Sequence, residues 1–457
     1  MSSSSSAPRE QWGSKLGFIL AAAGSAIGLG NIWKFPYIAG ENGGSSFIII
    51  YLICIAVIGL PVLVGEILLG RTTQRNPVGA FKALSGSKFW AGVGGMGVVA
   101  GFLILSFYAV IAGWSIGYIY QSISGDFFQY ADPAKAADHF VALTKDVVWI
   151  VSYFALFMII TMSVVYAGVQ KGIERGSKIM MPLLLLLLIF VMIRGITLPG
   201  SGEGLKFIFN PDWSHVNGQT ILIALGHAFF TLSMGMGAML TYGSYMSKKE
   251  SVLSSAAQIV ILDTFIALIA GVAIFTSVFA VGLDASGGPG LIFHTLPAVF
   301  TIMPGGQIIG TIFFILLTIA AFTSAISLLE VITAYFIDEK GWSRHKAVIV
   351  FGAVTFLIGL PSALSFNVLA DFNIFGKNFF DLVDYLASNI FLPLGGLLIA
   401  IFIAYVWKFD KALIALKDGS EKIFNKNPLV ITLWQIFIKY FAPVLIFLVL
   451  LSSIGVL

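Results

Sequence analysis

Charge is scarce in this sequence. Charged residues make up 11% of 457 positions, against 58% that are hydrophobic. Soluble domains carry about a quarter charged residues, so this chain has too little polar surface to cover itself in water and calls for a lipid bilayer as its solvent. Cysteine is almost absent. The one present, Cys54, excludes an internal disulfide framework and sits in an apolar run as a small packing residue. Five scattered histidines make no metal cluster. There is no HExxH, paired-cysteine, phosphate-loop or nucleophile-elbow motif, so an enzyme is not expected. Residues 1–10 hold a serine tract and the first apolar run is too long for a secretory h-region, so no cleavable signal peptide is expected.

Apolar length is what the chain has instead. A spanning helix needs about 20 mostly apolar residues. Eleven such runs are present, at 16–39, 44–70, 90–123, 146–167, 178–195, 219–246, 252–282, 305–337, 345–362, 378–406 and 437–456. The expectation is an all-α membrane protein of eleven transmembrane helices. Basic residues mark its cytoplasmic side. Arg9 and Lys15 precede span 1, and Arg71, Arg75, Lys82 and Lys88 separate spans 2 and 3. Lys171, Arg175 and Lys178 separate spans 4 and 5, and further groups follow spans 6, 8 and 10. If all eleven runs cross, every one of these groups lies on one face. The N-terminus is then cytoplasmic, the C-terminus extracellular, and the location a cell inner (plasma) membrane. The same charges read as topology signals rather than a nucleic-acid surface, and no obligatory protein partner is evident. An outer loop holding Gly287-Gly-Pro-Gly290 and the short apolar piece Leu291–Thr301 is expected to form a helical hairpin over an external vestibule.

Two spans carry breaks. Span 1 contains Gly24-Ser-Ala-Ile-Gly28-Leu-Gly30-Asn31, and span 6 contains Thr231-Leu-Ser-Met-Gly235-Met-Gly237. Glycine costs a helix about 1 kcal/mol relative to alanine. A single such segment is accounted for by close helix packing. Two of them, each opening a block of five helices, match an inverted repeat. Because five is odd, the second block enters from the opposite side, and interrupted helices at equivalent places mark the binding site of such transporters. The expected organisation is a cytoplasmic segment 1–15, a first repeat 16–195, an external loop 196–218, a second repeat 219–406, and a cytoplasmic loop with helix 11 at 407–457. Unwinding frees carbonyls for a small cation and exposes amides for a carboxylate.

Buried polar residues extend the pattern. Glu66 in span 2 either accepts from freed amides or is structural. Asp263 in span 7 is an intramembrane carboxylate, a functional candidate by default; the alternative is a protonated, hydrogen-bonded structural group. Thr323-Ser324 in span 8 either ligate an ion or bond back to their own helix turn. In span 5, Gly172 and Pro182 bracket the cytoplasmic start; they mark a site of local unwinding or a packed kink.

These stretches resemble the neurotransmitter:sodium symporter family, with its leucine-transporter fold. The similarity covers essentially the whole chain. It is carried by Trp12-Gly-Ser-Lys-Leu-Gly, Gly24-Ser-Ala-Ile-Gly-Leu-Gly-Asn-Ile-Trp-Lys-Phe-Pro36, Glu41-Asn-Gly-Gly44, Phe230-Thr-Leu-Ser233, Thr323-Ser324 and Gly341-Trp-Ser-Arg344. The chain looks most like the bacterial multi-hydrophobic amino acid transporters, which have eleven helices. The resemblance implies two sodium sites. The first would use Ala26, Asn31, Thr231, Asp263 and the substrate carboxylate. The second would use carbonyls of Gly24, Ile27 and Ala320 with the hydroxyls of Thr323 and Ser324. It also implies a hydrophobic L-amino acid as substrate, its carboxylate on Tyr108 with the Gly28 and Gly30 amides alongside. Ala26, Phe230, Thr231, Ser233, Met236, Ser324 and Leu328 would complete that site. The outer gate would pair Lys34 with Asp381 or Asp384. The inner gate would pair Arg9 with Asp338, aided by Trp12 and Tyr245.

Departures from the family pattern are informative. Gly28 stands where monoamine carriers have an aspartate, so the ligand should bring its own carboxylate. Lys34 replaces the usual arginine, giving a point charge rather than a bidentate fork. Asp263 stands where asparagine is usual, while Ala267, one turn on, lacks the carboxylate common in chloride-independent members. The negative charge has moved one turn, and transport without chloride is expected. Met236 replaces a bulky ring, and methionine's flexible, unbranched side chain lets a pocket adapt. A broad preference for aliphatic and aromatic side chains is therefore expected.

Overall fold

The structure is a computed structural model that describes residues 9–129, 132–283 and 291–457. The first eight residues of the expected N-terminal segment lie outside it, as does the Gly287–Gly290 turn. Regular structure among the described residues is helical, apart from one isolated β-bridge between Ile374 and Lys377.

Among the described residues, nine helices are long and apolar enough to cross a membrane: Ser45–Thr73, Lys88–Ser124, Val147–Tyr166, Val169–Ile196, Val252–Ala280, Gly306–Lys340, Arg344–Leu364, Phe379–Val406 and Leu429–Ser453. Lys15–Ala26 and Gly30–Glu41 form a tenth, bent by 47° at the break expected in span 1. The run expected as span 6 falls on two short helices, Gly218–Thr231 and Ala238–Ser244, neither long enough to cross alone. Two starts differ from expectation. Span 5 begins at Val169 rather than near 178, and span 11 at Leu429 rather than 437. In span 5 the early turns hold Lys171, Glu174, Arg175 and Lys178. These charges end an apolar run without ending a helix: Lys171, Arg175 and Lys178 are exposed, and Glu174 is buried against the N-terminal segment. Glu174 accepts from the Gly13 amide at 2.6 Å and the Ser14 hydroxyl at 2.8 Å, and Lys178 reaches it at 2.6 Å.

The spans are not equivalent. In the most apolar stretch of spans 3, 7 and 8, 72%, 72% and 78% of residues are buried, against 28% in spans 4 and 5 and 22% in span 11. Spans 3, 7 and 8 therefore form the centre with the broken helices, and spans 4, 5 and 11 present apolar side chains outward, as a lipid-facing surface does. Spans 3 and 8 are pinned by Ser115 and Thr318, whose hydroxyls lie 2.7 Å apart. The segment expected to cap the outside is a single helix, Thr295–Ile302, within the described residues. Phe293 just before it packs on Trp114, Tyr118 and Phe140 with ring centroids 5.4–5.6 Å apart, and Tyr118 donates to its carbonyl at 2.6 Å.

Candidate ion and substrate site

The break in span 1 runs from Ile27 to Leu29, and that in span 6 from Leu232 to Gly237. In span 6, Ser233 (φ +52°), Gly235 (φ +80°) and Gly237 (φ +75°) all take left-handed backbone, which no helix can contain. Glycine fits two of these three at no steric cost. The amide freed at Gly235 donates to Glu66 Oε1 at 2.5 Å, so Glu66 is joined to the broken helix as one of its two readings required.

Asp263 is fully buried at the junction of spans 1, 6 and 7. Its carboxylate accepts from Asn31 Nδ2 at 2.8 Å and from Thr231 Oγ1 at 3.1 Å. Asn31 Oδ1 in turn accepts from the Gly28 amide at 3.2 Å. Every donor to this carboxylate is neutral. Isolated carboxylate charge is expensive at such depth, and the cluster of oxygens from Asn31, Thr231 and Asp263 has the hard-donor character a small cation requires.

The second oxygen cluster joins span 8 to the first half of span 1. Thr323 Oγ1 lies 3.3 Å from the Ile27 carbonyl and 2.9 Å from that of Ala320. Ser324 Oγ lies 3.5 Å from the Gly24 carbonyl and 3.0 Å from that of Ser25. All five expected residues converge. Thr323 also bonds its own helix turn through the Ala320 carbonyl, as one of the two readings of the hydroxyl pair required.

Between the clusters lies a narrow cavity of about 20 Å³, little more than one water needs. Its lining includes Ala26, Gly28, Gly30, Tyr108, Phe230, Ser233, Met236, Ser324 and Leu328, all expected. Thr231 faces Asp263 instead. Sequence reasoning missed Ser25, Leu29 and Ile104, which also line it. Ile104 precedes Tyr108 by four residues, and that helical spacing was enough to find it. Tyr108 Oη accepts from the Leu29 amide at 3.2 Å, not from Gly28 or Gly30. The Gly28 amide is already taken by Asn31.

The two ends of the pathway differ. At one end, an aromatic vestibule of about 220 Å³ is bordered by Lys34, Asp381 and Asp384. Lys34 pairs with neither aspartate: its ammonium lies 4.3 Å from the Phe230 ring centroid, and Asp384 accepts from the Ser388 hydroxyl at 2.6 Å. A lysine point charge can rest on an aromatic face where a fork would seek a carboxylate. At the other end, Arg9 forms an ion pair with Asp338, donates to Ser244 Oγ at 2.7 Å and stacks 4.8 Å from the Tyr245 ring centroid. The Trp12 amide donates to the Tyr245 carbonyl at 3.0 Å and its indole to the Tyr242 carbonyl at 2.9 Å. Sequence reasoning missed Glu330, fully buried in span 8, which accepts from Tyr245 Oη at 2.5 Å and from Arg344 at 2.6 and 3.0 Å. The intramembrane-carboxylate rule applied to Asp263 would have flagged it.

This cluster ties the N-terminal segment to spans 6 and 8. Arg9→Ala removes a largely covered ion pair, its side chains 16% and 21% exposed, together with the hydrogen bond to Ser244 and the ring contact. Amide exchange of residues 9–14 and 242–246 is expected to quicken roughly five- to tenfold. Unchanged exchange would mean that Trp12 and its carbonyl contacts hold the segment without Arg9.

Two interrupted helices around buried oxygen clusters, with a cavity at one end and an ion-paired cluster at the other, are the arrangement of a secondary transporter. The chain belongs to the sodium:neurotransmitter symporter family, whose model matches residues 9–132 and 142–457. It is 41% identical over 447 residues to a Bacillus subtilis protein described as the uncharacterised sodium-dependent transporter YhdH, covering 98% of each chain. It is 35% identical over 468 residues to a sodium-dependent transporter of Haemophilus influenzae, again with 98% of each covered. Among solved structures it resembles MhsT in complex with L-phenylalanine at 48% identity and a TM-score of 0.89, covering 97% of this chain and 100% of that one. The protein is thus a sodium-dependent symporter with the leucine-transporter fold, a multi-span membrane transporter and not an enzyme.

Proposed function

We propose that this chain imports hydrophobic L-amino acids, aliphatic and aromatic, by alternating access coupled to sodium at two sites and without chloride. The observation that carries the reading is the Asp263 carboxylate, buried where the broken helices meet and hydrogen-bonded by Asn31 and Thr231. A fixed negative charge at that place makes a borrowed anion unnecessary. The solved structure of the relative MhsT with L-phenylalanine supports an amino acid as substrate. So does Gly28, which leaves no acidic side chain for a lone amine and open backbone beside Tyr108.

The first sodium would be held by Ala26, Asn31, Thr231 and Asp263, and the second by Gly24, Ile27, Ala320, Thr323 and Ser324. Both ions would tie span 1 to the spans beside it and favour the outward-open form. Substrate would complete the first site. Lys34 would then leave the Phe230 ring for Asp381 or Asp384 and close the outer gate, while Arg9, Asp338, Trp12 and Tyr245 would part on the inside. The reading takes 219–246 as a single broken crossing, which makes eleven. Residues 16–195 and 219–406 are then the two repeats, with the N-terminus cytoplasmic and the C-terminus outside.

The test is uptake of labelled leucine, phenylalanine and tryptophan into proteoliposomes. Replacing sodium by potassium should abolish uptake, and replacing chloride by gluconate should leave it unchanged. A requirement for chloride would refute the relocated-charge reading.

Substrate breadth would depend on Met236, which is 4% exposed and lines the cavity. Met236→Phe puts a rigid ring into a packed site, where overpacking costs about 1–3 kcal/mol. Tryptophan affinity is expected to fall roughly tenfold or more while leucine affinity changes little. Equal loss for both ligands in a competition assay would show that Met236 does not set the breadth.

A further inference from the structure

The loop between spans 9 and 10 ends in a tight two-residue turn. Ile374 and Lys377 exchange both backbone hydrogen bonds, at 2.9 and 3.0 Å, across Phe375 (φ +53°) and Gly376 (φ +77°). Turns with both central residues in left-handed backbone favour Asn or Asp at the first position. Phe375 stands there instead and is 93% exposed, so the tip gains nothing from packing. What the turn fixes is its flank. Immediately after Lys377, the Asn378 side chain accepts from the Asp381 amide at 2.8 Å and caps span 10. Lys377 is therefore held in place on both sides, at the mouth of the helix that carries Asp381 and Asp384.

Its side chain runs down that helix. The Lys377 ammonium lies 4.9 Å from the Tyr385 ring centroid, and the Tyr385 hydroxyl is anchored on the Ser453 carbonyl at 2.7 Å. Asp381 and Tyr385 are four residues apart and share one face of span 10, so Lys377 passes along the face that holds Asp381, and its charge acts on that carboxylate. Asp384 sits on the adjoining face. Its charge acts on the Tyr37 hydroxyl, three residues from Lys34 on the outer half of span 1. The ion pairs among the described residues include neither aspartate. Two ammonium groups thus rest on aromatic rings, Lys34 on Phe230 and Lys377 on Tyr385, on either side of two unpaired carboxylates.

We propose that Lys377 is a second gate cation, which takes Asp381 when the outer side closes and leaves Asp384 to Lys34. This deepens the transport reading and rests on it, since it takes Lys34 as the first gate cation. The physical reason is the number of charges. Like charges three residues apart on a helix repel each other, and one lysine is a point charge that cannot bridge two carboxylates as an arginine fork can. Two lysines neutralise both. The Lys377 ammonium needs only a side-chain rotation to leave Tyr385 for Asp381, because the turn and the Asn378 cap keep its backbone beside that carboxylate.

The test needs no substrate. Ile111 lines the vestibule and is 1% exposed, so a thiol placed there by Ile111→Cys reacts only as the outer side opens. Cys54 is buried, and the unaltered protein gives its background. In potassium buffer without amino acid, Lys377→Gln is expected to quicken thiol labelling roughly fivefold, the scale of one partly exposed ion pair. Asp381→Asn should do the same, and the two together no more than either alone, as for partners in one contact. Lys34→Gln should multiply with Lys377→Gln, since it acts on the other aspartate. Lys377→Arg should restore slow labelling, and high salt should shrink the difference between Lys377→Gln and Lys377→Arg, which a purely structural turn would not show. If Asp381→Asn does not fold, that salt-dependent rescue decides alone. Unchanged labelling in Lys377→Gln, multiplied effects with Asp381→Asn, or no rescue by arginine would each overturn the proposal. Dissociation of labelled leucine in sodium separates the two readings. Leucine binding intact with labelling indifferent to Lys377 sinks the second cation alone. No leucine binding, with labelling still sensitive to Lys377 and Asp381, sinks the substrate reading and leaves the gate standing.

Discussion

Asp263→Asn is expected to raise the sodium concentration for half-maximal uptake by about a hundredfold, the largest effect of any single change here. The carboxylate is fully buried and accepts only from neutral donors, Asn31 Nδ2 at 2.8 Å and Thr231 Oγ1 at 3.1 Å. Asparagine keeps the shape and one oxygen but removes the charge. Leaving a buried ion without its counter-charge costs on the order of 3 kcal/mol, about two decades in affinity. Neighbouring Ala267 is buried and offers no substitute charge. In this variant, chloride is expected to become stimulatory, since a free anion can supply what the side chain no longer does. Sodium-dependent uptake measured in chloride and in gluconate tests both statements. Wild-type sodium affinity in the variant would show that the carboxylate is not a ligand, and the alternative of a protonated structural aspartate would stand.

Gly28→Ala should reduce substrate affinity by roughly 10- to 100-fold while the protein still folds. A methyl group added at Gly28 would lie 2.8 Å from Tyr108 Oη and closer still to Ser324 Oγ. Both atoms belong to the candidate site, so whichever moves, the site changes. Overpacking of this kind costs about 1–3 kcal/mol. Gly30→Ala is the control. Its added carbon would meet the Phe230 ring at 3.3 Å, where a few tenths of an ångström of ring movement suffice, and only a few-fold loss is expected. Equilibrium binding of labelled leucine to both purified variants, in sodium, decides the matter. Equal effects would show that Gly28 is not pressed against the ligand-facing hydroxyls.

Much of this protein was legible as sequence. The apolar runs located ten crossings, and the paired glycine-rich segments located both breaks. The residues expected for the two ion clusters do converge, because motif residues in broken helices have few places to point. The misses share a cause. Charge marks the start of span 5 too late, since Glu174 lies within the helix and binds the folded-back Gly13 and Ser14. Glu330 draws its worth from Tyr245 and Arg344, brought to it from elsewhere in the chain. The contact of Lys34 with the Phe230 ring likewise joins groups far apart in sequence.

By itself, the sequence determined the solvent, the class of fold and the positions of the breaks. These follow from local quantities: the apolar length needed to cross lipid, and the poor helix propensity of glycine. Only the tertiary structure decided which amide Tyr108 receives and where the gate lysine rests. Such outcomes turn on distances between groups far apart in the chain. Packing sets those distances to a few tenths of an ångström, and no pattern along the chain encodes them.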